Sequence, residues 1–232
     1  MSTRARLIEA AFTLFDEQGF EETTVDDVVQ RAGVGRTTFF RHFRAKEDAV
    51  LPDHAGLLSQ VEERLAQSDH LATRVVEAAR VVLDHYLAEG ERARLRHRLA
   101  GSVPAIRSRE TAGHRAYQRA FLAAIRAELG TDPDAELEAE LIANAVVTAH
   151  NVVLRRWLRG VTETPTTEFD RALARATEPL RATTATSVRT PQTSAPDGEV
   201  APEVTAEAAR RSVALLEELL PTLRRLADDQ AQ

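Results

Sequence analysis

The chain contains no cysteine, and among its 232 residues only one methionine, one tryptophan and one lysine. Without cysteine there is no disulfide framework, no thiol nucleophile and no thiolate metal site, a composition that fits the cytosol. Aromatic residues make up 5% of the chain, and no alternating run of β-branched residues occurs, so strands are not expected. The opening MSTRARLIEAAF lacks the apolar stretch of a signal peptide. The longest apolar-rich run, residues 145–154, is interrupted by Thr148, His150 and Asn151, so no membrane span is expected. The seven histidines, at 42, 54, 70, 85, 97, 114 and 150, include no pair three or four apart, which argues against a helical metal site. No glycine-rich phosphate loop, HExxH motif or nucleophile elbow is present. An enzyme, a metal and a cofactor are therefore not expected.

The apolar content of 43% is ordinary for a globular protein, and the length suits one large or two modest domains. The net charge of −6 by itself disfavours nucleic acid, but placement matters more than the total. The first fifty residues hold seven cations against nine acids. From Gly35 to Lys46 there are four cations, one histidine and no acid.

That basic stretch closes the segment TTVDDVVQRAGVGRTTFFRHFRAK, residues 23–46, which reads as two short helices joined by a glycine-bounded turn. Thr24 with Asp27 three residues on forms a capping box, starting a helix at Val25. Val25, Val28, Val29 and Ala32 follow at helical spacing and make one buried face. Gly33 supplies the freedom wanted at a helix C-terminus, Val34 plugs the turn and Gly35 allows a close approach before the next helix. The second helix is expected over 36–43. Phe39 and Phe43 point inward, leaving Arg36, Thr37, Thr38, Phe40, Arg41 and His42 on the outer face and the exposed N-terminal end. Such a helix fits a major groove, with phosphate contacts around it.

Residues 4–50 resemble the N-terminal domain of the TetR family of transcriptional regulators. The resemblance rests on an amphipathic first helix (Leu7, Ala10, Ala11, Leu14, Phe15), then Gly19-Phe20, Thr23-Thr24-Val25, and the string from Ala32-Gly33-Val34 through Phe39-Phe40-Arg41-His42-Phe43 to Lys46-Glu47. It implies that Thr24 and Lys46 grip phosphates and that Arg36, Thr37 and Thr38, with Gly35 at the helix start, meet base edges and nearby phosphates. His42 and Arg41 would touch the DNA further along. The family usually carries Tyr where this chain has Phe40, so a phosphate contact through a phenol oxygen is replaced by ring packing on a sugar or thymine methyl. Lys46, the one lysine against 29 arginines, invites a functional reading, against the plain one that an exposed helix start tolerates lysine.

The remainder reads as helices over 46–66, 71–89, 91–100, 104–129, 134–159, 167–181 and 203–228, with Pro52 offsetting the first and Gly90, Gly101, Gly130 and Gly160 punctuating the others. The expected fold is all-α. An N-terminal three-helix helix-turn-helix domain (1–48) joins a larger helical domain (49–181), then a Thr/Ser/Pro-rich linker (182–202) and a C-terminal helical segment (203–232). The last segment carries an apolar stripe through Ala209, Val213, Leu216, Leu220 and Leu223, suited to the core or a dimer interface.

By the resemblance, the larger domain binds a small effector and dimerises, usually through two long helices packed as a four-helix bundle; here the candidates are 134–159 with 167–181 or 203–228. Candidate effector residues are polar or aromatic side chains set among apolar ones: Tyr86, Tyr117, Phe121, Asn144, His150 and Asn151. The resulting expectation is a cytoplasmic, ligand-responsive homodimeric regulator, a repressor on a palindromic double-stranded DNA operator released by a small, largely apolar effector. The competing expectation is a helical protein-interaction module with a weakened DNA-binding head.

Overall fold

The computed structural model describes residues 1–181; the expectations for the linker and the last helical segment lie outside the described residues. These residues fold into α-helices and one short 3₁₀ turn, in the order α1 (Thr3–Glu17), α2 (Val25–Ala32), α3 (Arg36–His42), the 3₁₀ turn Lys46–Val50, α4 (His54–Leu65), α5 (Leu71–Glu89), α6 (Glu91–Ser102), α7 (Pro104–Leu129), α8 (Pro133–Leu158) and α9 (Pro165–Ala176), after which residues 178–181 are again helical.

Local chemistry sets most of the ends. Thr24 caps α2 by accepting from the Asp27 amide at 3.2 Å, while the Asp27 carboxylate accepts from the Thr24 amide at 2.8 Å. Gly33 ends α2 in the left-handed region at φ 64°, where a side chain is strained. Proline stands at the first position of α7, α8 and α9, where its missing N–H costs nothing. The expected helix over 46–66 is divided as Pro52 requires, into the 3₁₀ turn and α4. Gly101 does not stop α6, which runs on to Ser102. Gly35 sits at φ −86° with nothing within 4 Å of where a Cβ would lie. The close approach expected there is not an internal one.

Two cores form. One gathers Leu7, Ala11, Phe15, Val28, Phe39 and Val50 with Leu95, Leu99 and Ile106, so α6 and the start of α7 complete the apolar interior of the head. The other packs α4, α5, α7, α8 and α9 around Val61, Val75, Leu83, Ile125, Val146 and Phe169. Helix α6 contributes Ala93 to this second core and its leucines to the first. Two outer ion pairs, Arg92 with Glu9 and Arg98 with Asp16, hold α6 to α1.

Contrary to the sequence expectation, α8 is long and apolar enough to cross a membrane by length and composition. Its packing against α5, α7 and α9 accounts for the buried apolar face. In that face His150 meets the ring of Phe169 edge-on and shares a hydrogen bond with Asn151. Burial lowers the His150 pKa from 6.5 to about 4, with the Asn151 bond opposing. The unfolded chain takes up this proton below 6.5 while the fold resists it, so the stabilisation is complete above 6.5 and is lost as pH falls toward 4. Urea unfolding of wild type and His150→Leu across this range is expected to show a pH-dependent difference reaching about 3 kcal/mol. Parallel pH slopes in the two proteins would show that His150 does not resist protonation.

Candidate nucleic-acid interface and ligand chamber

The α2–turn–α3 unit presents its expected face in part. Phe39 and Phe43 are buried, while Arg36, Thr37, Phe40 and Arg41 are exposed and Thr38 is half-buried. Phe40, 46% exposed, lies edge-on to Phe39 and offers its ring to the Arg36 guanidinium, 5.5 Å from the centroid. Arg36 also bonds both carboxylate oxygens of Asp26, at 2.7 and 2.8 Å. The segment from Gly35 to Lys46 contains no acid, but the fold brings one in from α2.

Three other expected residues are engaged within the chain. The Thr24 hydroxyl donates to Asp27 at 2.7 Å, and this bond, with that of the Thr24 amide, holds the Asp27 carboxyl below its ordinary range. Lys46 donates to the carbonyls of Phe20 and Thr23 at 2.6 and 3.0 Å, with its ammonium 4.1 Å from the Phe20 ring centroid. It braces the α1–α2 connection, leaving one of three ammonium protons for another acceptor. His42 does not stand on the outer face. It is half-buried beside Phe43, in the groove that also holds Arg4 and His54.

Behind the head, α5, α6, α7 and the C-terminal end of α8 enclose a chamber of about 340 Å³. Its floor is a buried polar cluster. Arg96, 1% exposed, donates to Glu89 and to the Val50 carbonyl at 3.2 Å, and its Nε is ion-paired with Glu110 at 3.1 Å. The Tyr86 hydroxyl donates to the other Glu110 oxygen at 2.9 Å, and the Arg96 guanidinium lies 5.1 Å from the Tyr86 ring centroid. Burial opposes the Arg96 charge, yet the hydrogen bonds of Glu89 and the charges of Glu89 and Glu110 keep its pKa above the ordinary value. Burial first, then the Glu110 charge, pushes the Tyr86 phenol well above its usual range. His54 extends the cluster, 3.1 Å from the Tyr117 hydroxyl and 3.9 Å from Glu110. Its ring leaves no room for a Cβ at Gly113, where one would lie 2.5 Å away.

A narrow slot of about 20 Å³ shares His114 and Asn151 with the chamber and is walled by Phe121, Tyr117, Val147 and His150. Of the expected effector residues, Tyr86 and Asn151 line the chamber, and Tyr117, Phe121, His150 and Asn151 line the slot. Asn144 lines neither. It is exposed, donates to the Glu140 carbonyl and accepts from Gln118 at 2.8 Å. The sequence reading missed Arg96, Glu110, His97, His114, Arg155 and Arg159. Charged residues on helices usually mean a solvated face, and nothing local marks the ones that border a chamber: Arg96 is buried, His97, Glu110 and His114 are half-buried, and Arg155 and Arg159 are exposed at its edge.

The comparisons with known proteins agree with this architecture. Residues 7–51 match the family described as bacterial regulatory proteins, tetR family, and residues 69–184 match the MftR C-terminal domain. The chain belongs to the TetR family of transcriptional regulators, with α2 and α3 in its DNA-binding helix-turn-helix, and its relatives are regulators rather than enzymes. TcmR of Streptomyces glaucescens is 47% identical over 49 residues, 21% of this chain and 22% of that protein. MftR of Mycobacterium tuberculosis, a transcriptional regulator named for mycofactocin biosynthesis, is 29% identical over 99 residues, 42% of this chain and 48% of that protein. The matched region thus spans less than half the length of these relatives. In fold, a TetR-family regulator from Syntrophomonas wolfei superposes with a TM-score of 0.59 at 19% identity, covering 77% of this chain and 95% of that one. SmeT, the repressor of a Stenotrophomonas maltophilia multidrug efflux pump, gives 0.53 at 20% identity, covering 77% and 90%.

Removing Arg96 leaves two carboxylates in the cluster without their cation. Arg96→Met is expected to cost about 3–5 kcal/mol in urea unfolding. A loss below about 1 kcal/mol, the level of an exposed pair, would show that the cluster is not held by this ion.

Proposed function

We propose that this protein is a ligand-responsive dimeric repressor that binds a palindromic operator through α3 and releases it when a small molecule fills the chamber. The observation that carries this reading is the Arg96 side chain. It stands in the chamber wall and is bonded to the carbonyl of Val50, at the end of the turn that closes the head. A ligand that draws Arg96 or Glu110 toward itself acts directly on the head, and it favours whichever head position it binds more tightly. Arg109 adds a second tie, 2.9 Å from Asp48, whose other oxygen accepts from the Arg44 amide at 2.9 Å just beyond α3.

On the DNA side, Thr37, Thr38 and Arg41 meet bases and phosphates, Arg36 leaves Asp26 for the DNA, and Lys46 gives its remaining proton to a phosphate. Thr24, Gly35 and Phe40 lie along the same backbone track, with Phe40 contributing ring contact. His42, half-buried, contributes by packing α3 rather than by touching DNA.

The dimer forms through α8. Leu137, Leu141 and Val152 are 60%, 62% and 43% exposed and recur with exposed Ala145 and Thr148 along one face. An apolar stripe of this length calls for a partner, and α9 beside α8 supplies the second helix of a four-helix bundle with its symmetry mate.

Three measurements test this reading. Selection of bound fragments from genomic DNA is expected to return a palindrome with steep salt dependence; retention without sequence preference would leave the interaction-module reading in its place. Asp26→Asn frees Arg36 and is expected to tighten binding to all DNA by about 0.2–1 kcal/mol, the worth of an exposed ion pair. Weaker binding would mean that Asp26 positions Arg36 for DNA instead of competing with it. The Leu137→Glu, Leu141→Glu double variant is expected to sediment as a folded monomer and lose the operator, and a variant that stays dimeric would move the interface elsewhere.

A further inference from the structure

The chamber wall is one-sided in charge. Among the described residues Glu110 is the single acid lining it, one oxygen ion-paired with Arg96 and the other accepting from the Tyr86 hydroxyl. Arg155 and Arg159 line the same chamber one turn apart at the end of α8 and have no acid partner among the described residues. Cations in the last turn of a helix are ordinary because they meet its dipole. Arg156 shows the usual outcome, since it lies in that same turn but faces outward and pairs with Glu168 at 3.0 Å. Near the unpaired arginines stand His97 and His114. Burial, first, lowers both imidazole pKa values, helped at His97 by Arg159 and Arg155 and at His114 by Arg155, with Glu110 opposing at each. These rings are neutral near pH 7 and present one donor and one acceptor each. Between the charged groups the wall is apolar, through Ala93, Leu154 and Leu158.

We propose that the chamber takes an amphiphilic carboxylate, its anion held between Arg155 and Arg159 and its apolar body laid along Leu154 and Leu158 toward Tyr86. This deepens the effector reading above and rests on it. The arginine forks match a carboxylate in bidentate geometry, and His97 supplies a further neutral donor. Both arginines are exposed to solvent at the mouth, where a carboxylate gains charge-assisted bonds that a neutral head group lacks and a cation is repelled. The volume of about 340 Å³ stands near the lower end of small-molecule sites, so a compact acid fits without an opening of the helices.

The test uses the full-length protein and straight-chain probes of six to ten carbons, each length offered as carboxylate, alcohol and ammonium. Calorimetric titration is expected to show the carboxylate bound at least about tenfold more tightly than the alcohol of equal length, with the ammonium weakest. In the Arg155→Gln, Arg159→Gln double variant the preference for the carboxylate is expected to vanish while alcohol binding persists, which also shows that the chamber is still formed. Arg156→Gln serves as the outward-facing control and is expected to keep the preference. Equal affinity for the three head groups, no binding by any member of the series, or an undiminished carboxylate preference in the double variant would each overturn the proposal. Selection of genomic fragments by the wild type separates its failure from that of the regulator reading: a recovered palindrome with no carboxylate preference sinks only the ligand class, whereas no palindrome sinks the regulator.

Discussion

The structure turns on one buried cation. Arg96 is nearly inaccessible to water, and its guanidinium meets Glu89, Glu110, the face of Tyr86 and the Val50 carbonyl at once. A buried guanidinium is tolerable only when its donors are met, and loss of either side leaves a charge without compensation. This constraint fixes α6 against α5 and α7 and ties the end of the head to the floor of the chamber. The same helix sends Leu95 and Leu99 into the apolar interior of the head and Ala93 into that of the body. Head and body are thus joined by shared packing as well as by polar bonds.

The head is built from short local devices. A capping box starts α2, a left-handed glycine ends it, and the Phe39–Phe43 pair seats α3, their rings 5.4 Å apart. Several groups with affinity for phosphate are occupied within the chain: Arg36 by Asp26, Lys46 by two carbonyls and Thr24 by its cap. Exchange of the exposed Asp26 partner for a phosphate costs little, because exposed ion pairs contribute little. On the proposed reading, the acidic partner moderates the attraction of the head for DNA of any sequence, which is the sequence-independent part of binding.

The helix-turn-helix was legible in the chain because each of its signals is local. Thr24 and Asp27 lie three apart, Gly33 follows the last buried residue of α2, and Phe39 and Phe43 lie one turn apart. Helix ends at Leu71–Glu89 and Pro104–Leu129 were legible for the same reason, through glycine and proline. The errors have a common cause. By its spacing from Phe39 and Phe43, His42 is expected outward, and Asn144, polar among apolar neighbours, is expected in a pocket, but the side of a helix that meets the core depends on residues far along the chain. No local pattern pairs Asp26 with Arg36, ten positions on; only the crossing of α2 and α3 brings them together.

The sequence by itself determined that the chain is helical, where most helices begin and end, and that its first fifty residues carry a TetR-type reading head. Those properties follow from capping, backbone freedom and hydrophobic spacing within a few residues. The tertiary structure alone decided which charges are buried, which arginines of α8 face the chamber, and which leucines of the same helix are left exposed. Glu110 and Arg96 are fourteen positions apart and Val50 is further still, and no local pattern distinguishes a guanidinium that will be buried from one that will meet water. That choice is made when helices pack, by the need to give every buried polar group a partner.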